Sequence, residues 1–173
     1  MTEELDILRI IAENPTISQR KIAEQTGISL GQVNFLIKKC AKKGLIKIEG
    51  QTTKSLRYNL TPQGVAEKAE KTLKYIKISY AAVIALSDKI RALMKKYKAE
   101  GYDIYVYGSR DEMLEITKLA LGSECREYLF TPQQIEYINE IYTSSKMGAA
   151  IFYWEDSKKI SSMTHLTWVN ILE

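Results

Sequence analysis

The chain has 173 residues, 45% of them apolar, and carries 25 Lys and Arg against 21 Asp and Glu for a net charge of +4. No apolar run is long enough to span a bilayer, and the acidic start Met1-Thr2-Glu3-Glu4 lacks a signal-peptide pattern. Cys40 and Cys125 lie far apart with no Cys or His at ligand spacing, which excludes a disulfide framework and a structural metal site. The expectation is a cytoplasmic protein without metal or cofactor, built as one domain or two small ones.

Charge is unevenly distributed. Residues 15–60 hold nine Lys/Arg against two acids, residues 61–99 nine against three, and residues 100–173 six against twelve. The first part has the electrostatic footprint of a nucleic-acid binder, whereas the acidic last part would be repelled by phosphate.

The spacing of Leu5, Leu8 and Ile11/Ala12 predicts a first helix over 3–13. Asn14-Pro15 ends it, because the residue before proline avoids the helical region. A second helix, capped by Thr16 or Ser18, runs to Gln25, and Gly27 follows at a sharp turn that calls for a left-handed residue. Ser29 with Gln32 three residues on has the form of a capping box opening a third helix. Its expected buried stripe is Leu30, Val33, Phe35/Leu36, Ile37, Cys40 and Ala41, which leaves Gly31, Gln32, Asn34, Lys38 and Lys39 outside. Residues 45–48 and 56–60 read as strands flanking the polar tip Glu49-Gly50-Gln51-Thr52-Thr53-Lys54. Two helices, a tight turn, a third helix and a basic hairpin are the order of a winged helix-turn-helix, whose third helix enters the DNA major groove.

Thr61 as N-cap and Pro62 at the first position open a long helix, with no Gly or Pro from Val65 to Glu100. Ala66, Leu73, Tyr80, Ser87 and Met94 form one heptad column, and Ala69, Ile76, Val83, Ile90 and Tyr97 the other. Such columns favour a helix–helix seam with a second copy, or a helix packed along its own chain. From Gly101 the pattern changes to strand 104–107, a helix from Ser109/Glu112 to about Leu121, strand 126–130 and a helix from Thr131-Pro132 carrying Ile135, Ile138 and Ile141/Tyr142. Strand 149–154, a turn at 155–158 and a final strand at 163–172 complete it. The order suggests a small α/β, Rossmann-like domain with a partly parallel sheet, so the fold class is α+β with parts at 1–62, 63–99 and 100–173.

Within the helix-turn-helix, Gln32 and Asn34 have the amide geometry to pair with adenine, and Lys38 or Lys39 can reach guanine edges or phosphate. Ser29 and Gly31 lie at the helix N-terminus, where backbone amides approach DNA. Gln19, Arg20 and Lys21 are placed to hold phosphate, with Lys54 and Arg57 reaching from the wing. In the last part, Gly108, Ser109 and Arg110 follow a strand and open a helix, where α/β folds bind anions; a plain strand-to-helix turn is the alternative. Phe152, Tyr153, Trp154 and Trp168 either line an effector pocket or form core. His165 lacks a catalytic partner, and both cysteines read as buried, inert thiols or as redox sensors. No nucleophile, Walker lysine or acid–base pair points to an enzyme.

Several blocks are familiar in combination: Ile17-Ser18-Gln19-Arg20, Gly27-Ile28-Ser29-Leu30-Gly31-Gln32-Val33-Asn34, Lys43-Gly44-Leu45-Ile46-Lys47, and Leu60-Thr61-Pro62-Gln63-Gly64-Val65-Ala66-Glu67-Lys68-Ala69. From about Leu5 to Ile90 the chain resembles the MarR-type winged-helix regulators associated with exopolysaccharide gene clusters. The wing is shorter and less basic than in that pattern, and the part from Gly101 lies outside it. The resemblance implies a bacterial transcription factor that binds duplex DNA as a homodimer, off the membrane, using the third-helix and wing residues named above. A small-molecule effector at the last domain fits the same reading. The alternatives are a nucleotide- or sugar-nucleotide-dependent enzyme or sensor with a DNA-binding module attached, and a protein-interaction adaptor that uses the winged helix.

Overall fold

Six helices and six strands follow one another in the computed structural model, which describes residues 3–50, 55–155 and 165–173. They are α1 (Glu3–Glu13), α2 (Gln19–Thr26), α3 (Leu30–Lys42), β1 (Ile46–Glu49), β2 (Arg57–Leu60), α4 (Pro62–Ala99), β3 (Tyr102–Tyr107), α5 (Glu112–Leu121), β4 (Glu127–Leu129), α6 (Pro132–Thr143), β5 (Gly148–Tyr153) and β6 (Leu166–Asn170). The chain divides into two units, Met1–Ser79 and Tyr80–Glu173, with the division inside α4.

The first unit is a three-helix cluster closed by the antiparallel β1–β2 hairpin, registered Ile46 to Leu60 and Glu49 to Arg57. Ile7, Leu8 and Ile11 of α1, Ile22 of α2, Val33, Leu36, Ile37 and Cys40 of α3, and Tyr58 of β2 form its core. Two expected core residues lie outside it: Leu30 is 47% exposed and Phe35 58%. At about 100° per residue, the arc defined by Val33, Leu36, Ile37 and Cys40 leaves Phe35 on the far side of the helix. Of the pair Phe35/Leu36, only Leu36 fits the space that α1 and the hairpin enclose.

One buried acid organises this unit. Glu4, 8% exposed, accepts from Lys43 at 2.8 Å and from Lys71 of α4, and lies 3.4 Å from Lys39. Hydrogen bonds from Lys43 and Lys71 hold its carboxyl at about 2, against an ordinary 4.5. The ion pair therefore joins α1 to both α3 and α4.

In α4, Thr61 caps the first turn as expected, accepting from the Gly64 amide at 3.0 Å. Both heptad columns change surroundings along the helix. Leu73, Ile76 and Tyr80 are 52%, 55% and 66% exposed, whereas Ile90 is fully buried and Met94 and Tyr97 pack on the second unit's sheet. Within that second unit the helix thus packs along its own chain.

The second unit is a four-stranded sheet in the order β4-β3-β5-β6. All its pairings are parallel, rather than the partly parallel arrangement expected. Strands β5 and β6 are parallel neighbours; the expected turn and strand start at 156–158 and 163–164 lie outside the described residues. The end of α4 and α5 cover one face around Ile104, Val106, Phe152 and Val169. The opposite face carries α6, with Ile135, Ile138 and Tyr142 against Tyr105, Leu129 and Ile151. Chain order reverses between β3 and β5, the doubly wound feature that makes this unit Rossmann-like. Among the described residues, no helix is long and apolar enough to cross a membrane.

Because Glu4 has a lower pKa folded than unfolded, its contribution is complete above about pH 4.5 and fades as pH falls towards 2, amounting to about 3 kcal/mol. Denaturant unfolding of the wild type and Glu4→Gln at pH 6 and pH 3 should show the variant less stable at pH 6. The gap should narrow at pH 3; an unchanged gap would remove Glu4 from this role.

Candidate nucleic-acid interface

Three local devices set the angle between α2 and α3. Ser18, extended at φ −75 and ψ 148, accepts from the Lys21 amide at 3.2 Å and starts α2. Gly27 stops it in the left-handed region at φ 72, where a side chain would be strained, and donates its amide to the Ala23 carbonyl. Ser29 starts α3 by accepting from the Gln32 amide at 3.2 Å. The reciprocal half of the expected capping box is not made, because the Gln32 amide side chain donates to Glu3 of α1 at 3.1 Å.

Between the start of α2, the side of α3 and the wing strands lies a cleft of about 800 Å³. Its lining includes Gln19, Arg20, Leu30, Asn34, Lys38 and Tyr58. Asn34 donates to Gln19 at 3.1 Å, and Gln19 donates to the Tyr58 hydroxyl at 3.2 Å. Tyr58 is 2% exposed, and its backbone amide donates to the Pro15 carbonyl at 2.7 Å. This relay links the helix expected to read DNA to α2 and to the wing.

The sequence-predicted residues fall into distinct places. Arg20, Lys21, Ser29, Gly31 and Lys38 are exposed on α2 and α3. Gln19 and Asn34 are half-buried in the relay. Lys39 faces Glu4 rather than the cleft, which makes it part of the scaffold in this structure. Arg57 is exposed and stands across the hairpin from Glu49, which itself pairs with Lys47 at 2.9 Å. Lys54 lies outside the described residues. The sequence reading did not place Phe35 or Lys42 on this surface, although a wheel centred on Val33 and Cys40 puts both opposite the core.

In the second unit, Gly108, Ser109 and Arg110 follow β3 at the carboxyl edge of the sheet. A Cβ on Gly108 would come within 2.4 Å of the Trp154 ring, so only glycine fits there. The cap of α5 is Asp111, not Ser109: one carboxylate oxygen accepts from the Leu114 amide at 3.1 Å and the other from the Trp154 indole at 3.1 Å. The Arg110 guanidinium sits 4.7 Å above the Phe130 ring. Together with Tyr107, Ser109 and Glu155 they line a shallow recess of about 320 Å³. Phe152 is fully buried, while Trp168 packs edge-on against Tyr107 and Tyr153. Burial raises the Cys40 thiol above its usual range and pushes Cys125 to about 11, so neither is poised as a thiolate. His165 is exposed.

Residues 4–47, from α1 into the first strand of the wing, match the family described as winged helix-turn-helix DNA-binding. The winged helix-turn-helix read from the sequence is therefore matched over these residues. Among solved structures, the chain is similar to the PcaV transcriptional regulator from Streptomyces coelicolor in complex with its natural ligand. That likeness has 13% identity and a TM-score of 0.44, over 49% of this chain and 62% of the other. It is also similar to Staphylococcus aureus MarR in complex with salicylate and kanamycin, at 22% identity and a TM-score of 0.43, over 49% of this chain and 57% of that one. The chain thus spans less than two thirds of either structure. Comparison with curated proteins gives no match.

Tyr58→Phe removes the acceptor that ends the relay and should cost roughly 0.5–1.5 kcal/mol in denaturant unfolding. Asn59→Ala, which removes an exposed bond to Glu49, should cost under about 0.5 kcal/mol. Equal losses would mean that the relay adds nothing beyond a surface contact.

Proposed function

We propose that this chain is a sequence-specific, duplex-DNA-binding transcriptional regulator of the MarR type, acting in the cytoplasm as a homodimer and without catalytic activity. The observation that carries this reading is the α2–Gly27–α3 turn, which leaves one side of α3 bare and flanked by Arg20, Lys21, Lys38 and Lys42. Cations on that side suit a polyanion, and a helix laid along the major groove reaches base edges.

In this reading Ser29, Gly31, Gln32 and Asn34 approach bases, while Arg20, Lys21, Lys38 and the wing residues Lys54 and Arg57 hold phosphates. Gln19 and Lys39 act chiefly through Asn34 and Glu4 respectively. The working parts are the winged helix (1–62), the long helix (63–99) and the α/β part (100–173). Exposure of Leu73, Ile76 and Tyr80 supports pairing of two copies along the first half of α4. Two-fold pairing would set two α3 helices on half-sites one DNA turn apart. Gly108, Ser109 and Arg110 form the candidate seat for a small effector.

An electrophoretic shift on the chain's own upstream region, with a salt series, tests the reading. Affinity should fall roughly a thousandfold between about 50 and 200 mM salt, with clear preference over random duplex. Asn34→Ala should erode that preference, whereas Lys38→Ala should weaken specific and random DNA alike and lower the salt slope by about 2, one contact from each copy. Absence of both salt dependence and preference would favour the protein-adaptor reading. For the dimer, Ile76→Asp should halve the mass measured by light scattering and abolish selective binding; an unchanged mass would sink the α4 interface.

A further inference from the structure

The bare side of α3 has an apolar group at its centre. Val33, Leu36, Ile37 and Cys40 mark the buried arc, and at 100° per residue Gly31, Phe35, Lys38 and Lys42 lie opposite it. The Phe35 ring is 58% exposed, and Leu30 at the start of the helix is 47% exposed. Gly31, one turn before Phe35, adds no side chain, and a Cβ there would meet only the Ser29 hydroxyl at 4.0 Å. The ring therefore stands clear of its neighbours.

A lone exposed apolar residue on a protein surface is ordinary. This one differs in its setting, among the residues that a groove-bound helix presents. Gly31, Asn34, Phe35 and Lys38 follow the i, i+3, i+4, i+7 spacing by which one helical face meets successive bases. Lys38 and Lys42 flank the ring with positive charge, which matches a phosphate-lined groove. A phenyl ring has neither donor nor acceptor, so it can read only an apolar feature of a base edge. The major groove offers one, the C5-methyl of thymine.

We propose that Phe35 is a specificity-determining residue that packs against thymine methyl groups in the major groove, so that each half-site requires a thymine at the position the ring meets. This deepens the DNA-binding reading above and rests on it.

The test uses the full-length chain and a duplex selected from a random pool, with each thymine replaced in turn by deoxyuridine. That exchange deletes the methyl and leaves base pairing intact. In the wild type, deoxyuridine at one or two positions per half-site should weaken binding about fourfold, the worth of one buried methyl group. Phe35→Ala should bind the unmodified site correspondingly worse and be indifferent to deoxyuridine at those positions. Its affinity for random duplex and its thermal unfolding should match the wild type. The proposal is overturned if Phe35→Ala remains as sensitive to deoxyuridine as the wild type, or if it loses specific and random binding equally. Selective binding with no methyl-sensitive position removes the role of Phe35 alone, whereas a pool that yields no enriched duplex removes the regulator reading as well.

Discussion

The first unit depends on a single buried carboxylate. Glu4 brings Lys39, Lys43 and Lys71 to one point, tying α1 to both helices that flank the hairpin. Such a cluster is costly to break from one side, because removing the acid leaves three cations facing one another. It also divides the lysines by their surroundings. Lys39 and Lys43 share the Glu4 carboxylate with Lys71, and Lys47 is paired with Glu49. Arg20, Lys21, Lys38 and Lys42, by contrast, form no ion pair among the described residues. The nine-to-two excess of base over acid in residues 15–60 therefore overstates the charge available for binding.

The long helix shows one pattern put to two uses. Ile90, Met94 and Tyr97 continue the heptad columns of Leu73, Ile76 and Tyr80, yet the former cover the α/β sheet and the latter stand open. Periodicity records that a helical stripe is apolar; it does not record what lies against it. The surroundings change between Ile84, still 45% exposed, and the fully buried Ile90, and the pattern does not.

What could be read from sequence was local, and what could not was tertiary. The helix caps and turn made by Ser18, Gly27, Ser29 and Thr61 each span no more than four residues, so they were legible. Phe35 and Leu36 were indistinguishable until α1 and the hairpin fixed the buried arc. Ser109 and Asp111 both suit a helix start, but only Asp111 also meets the Trp154 indole, 43 positions away in the chain. The alternation of apolar residues in the last strand marked it as a strand and left its direction open, and both of its faces are covered, Val169 on one side and Leu166 on the other. Only pairing with β5 defines the parallel register of Ala149 to Leu166. Among the candidate site residues, those on exposed helical positions were legible, and those drawn into the relay or to Glu4 were not.

The chain has two tryptophans, Trp154 and Trp168, and both belong to the second unit. Trp154 closes over Gly108 beside the candidate effector seat, while Trp168 is wedged among tyrosines on the opposite face. Indole emission from the unlabelled molecule is thus a private channel for the α/β half, in which the helix-turn-helix contributes no indole signal. Occupancy of a pocket at the sheet edge can be followed through indole emission without an attached fluorophore.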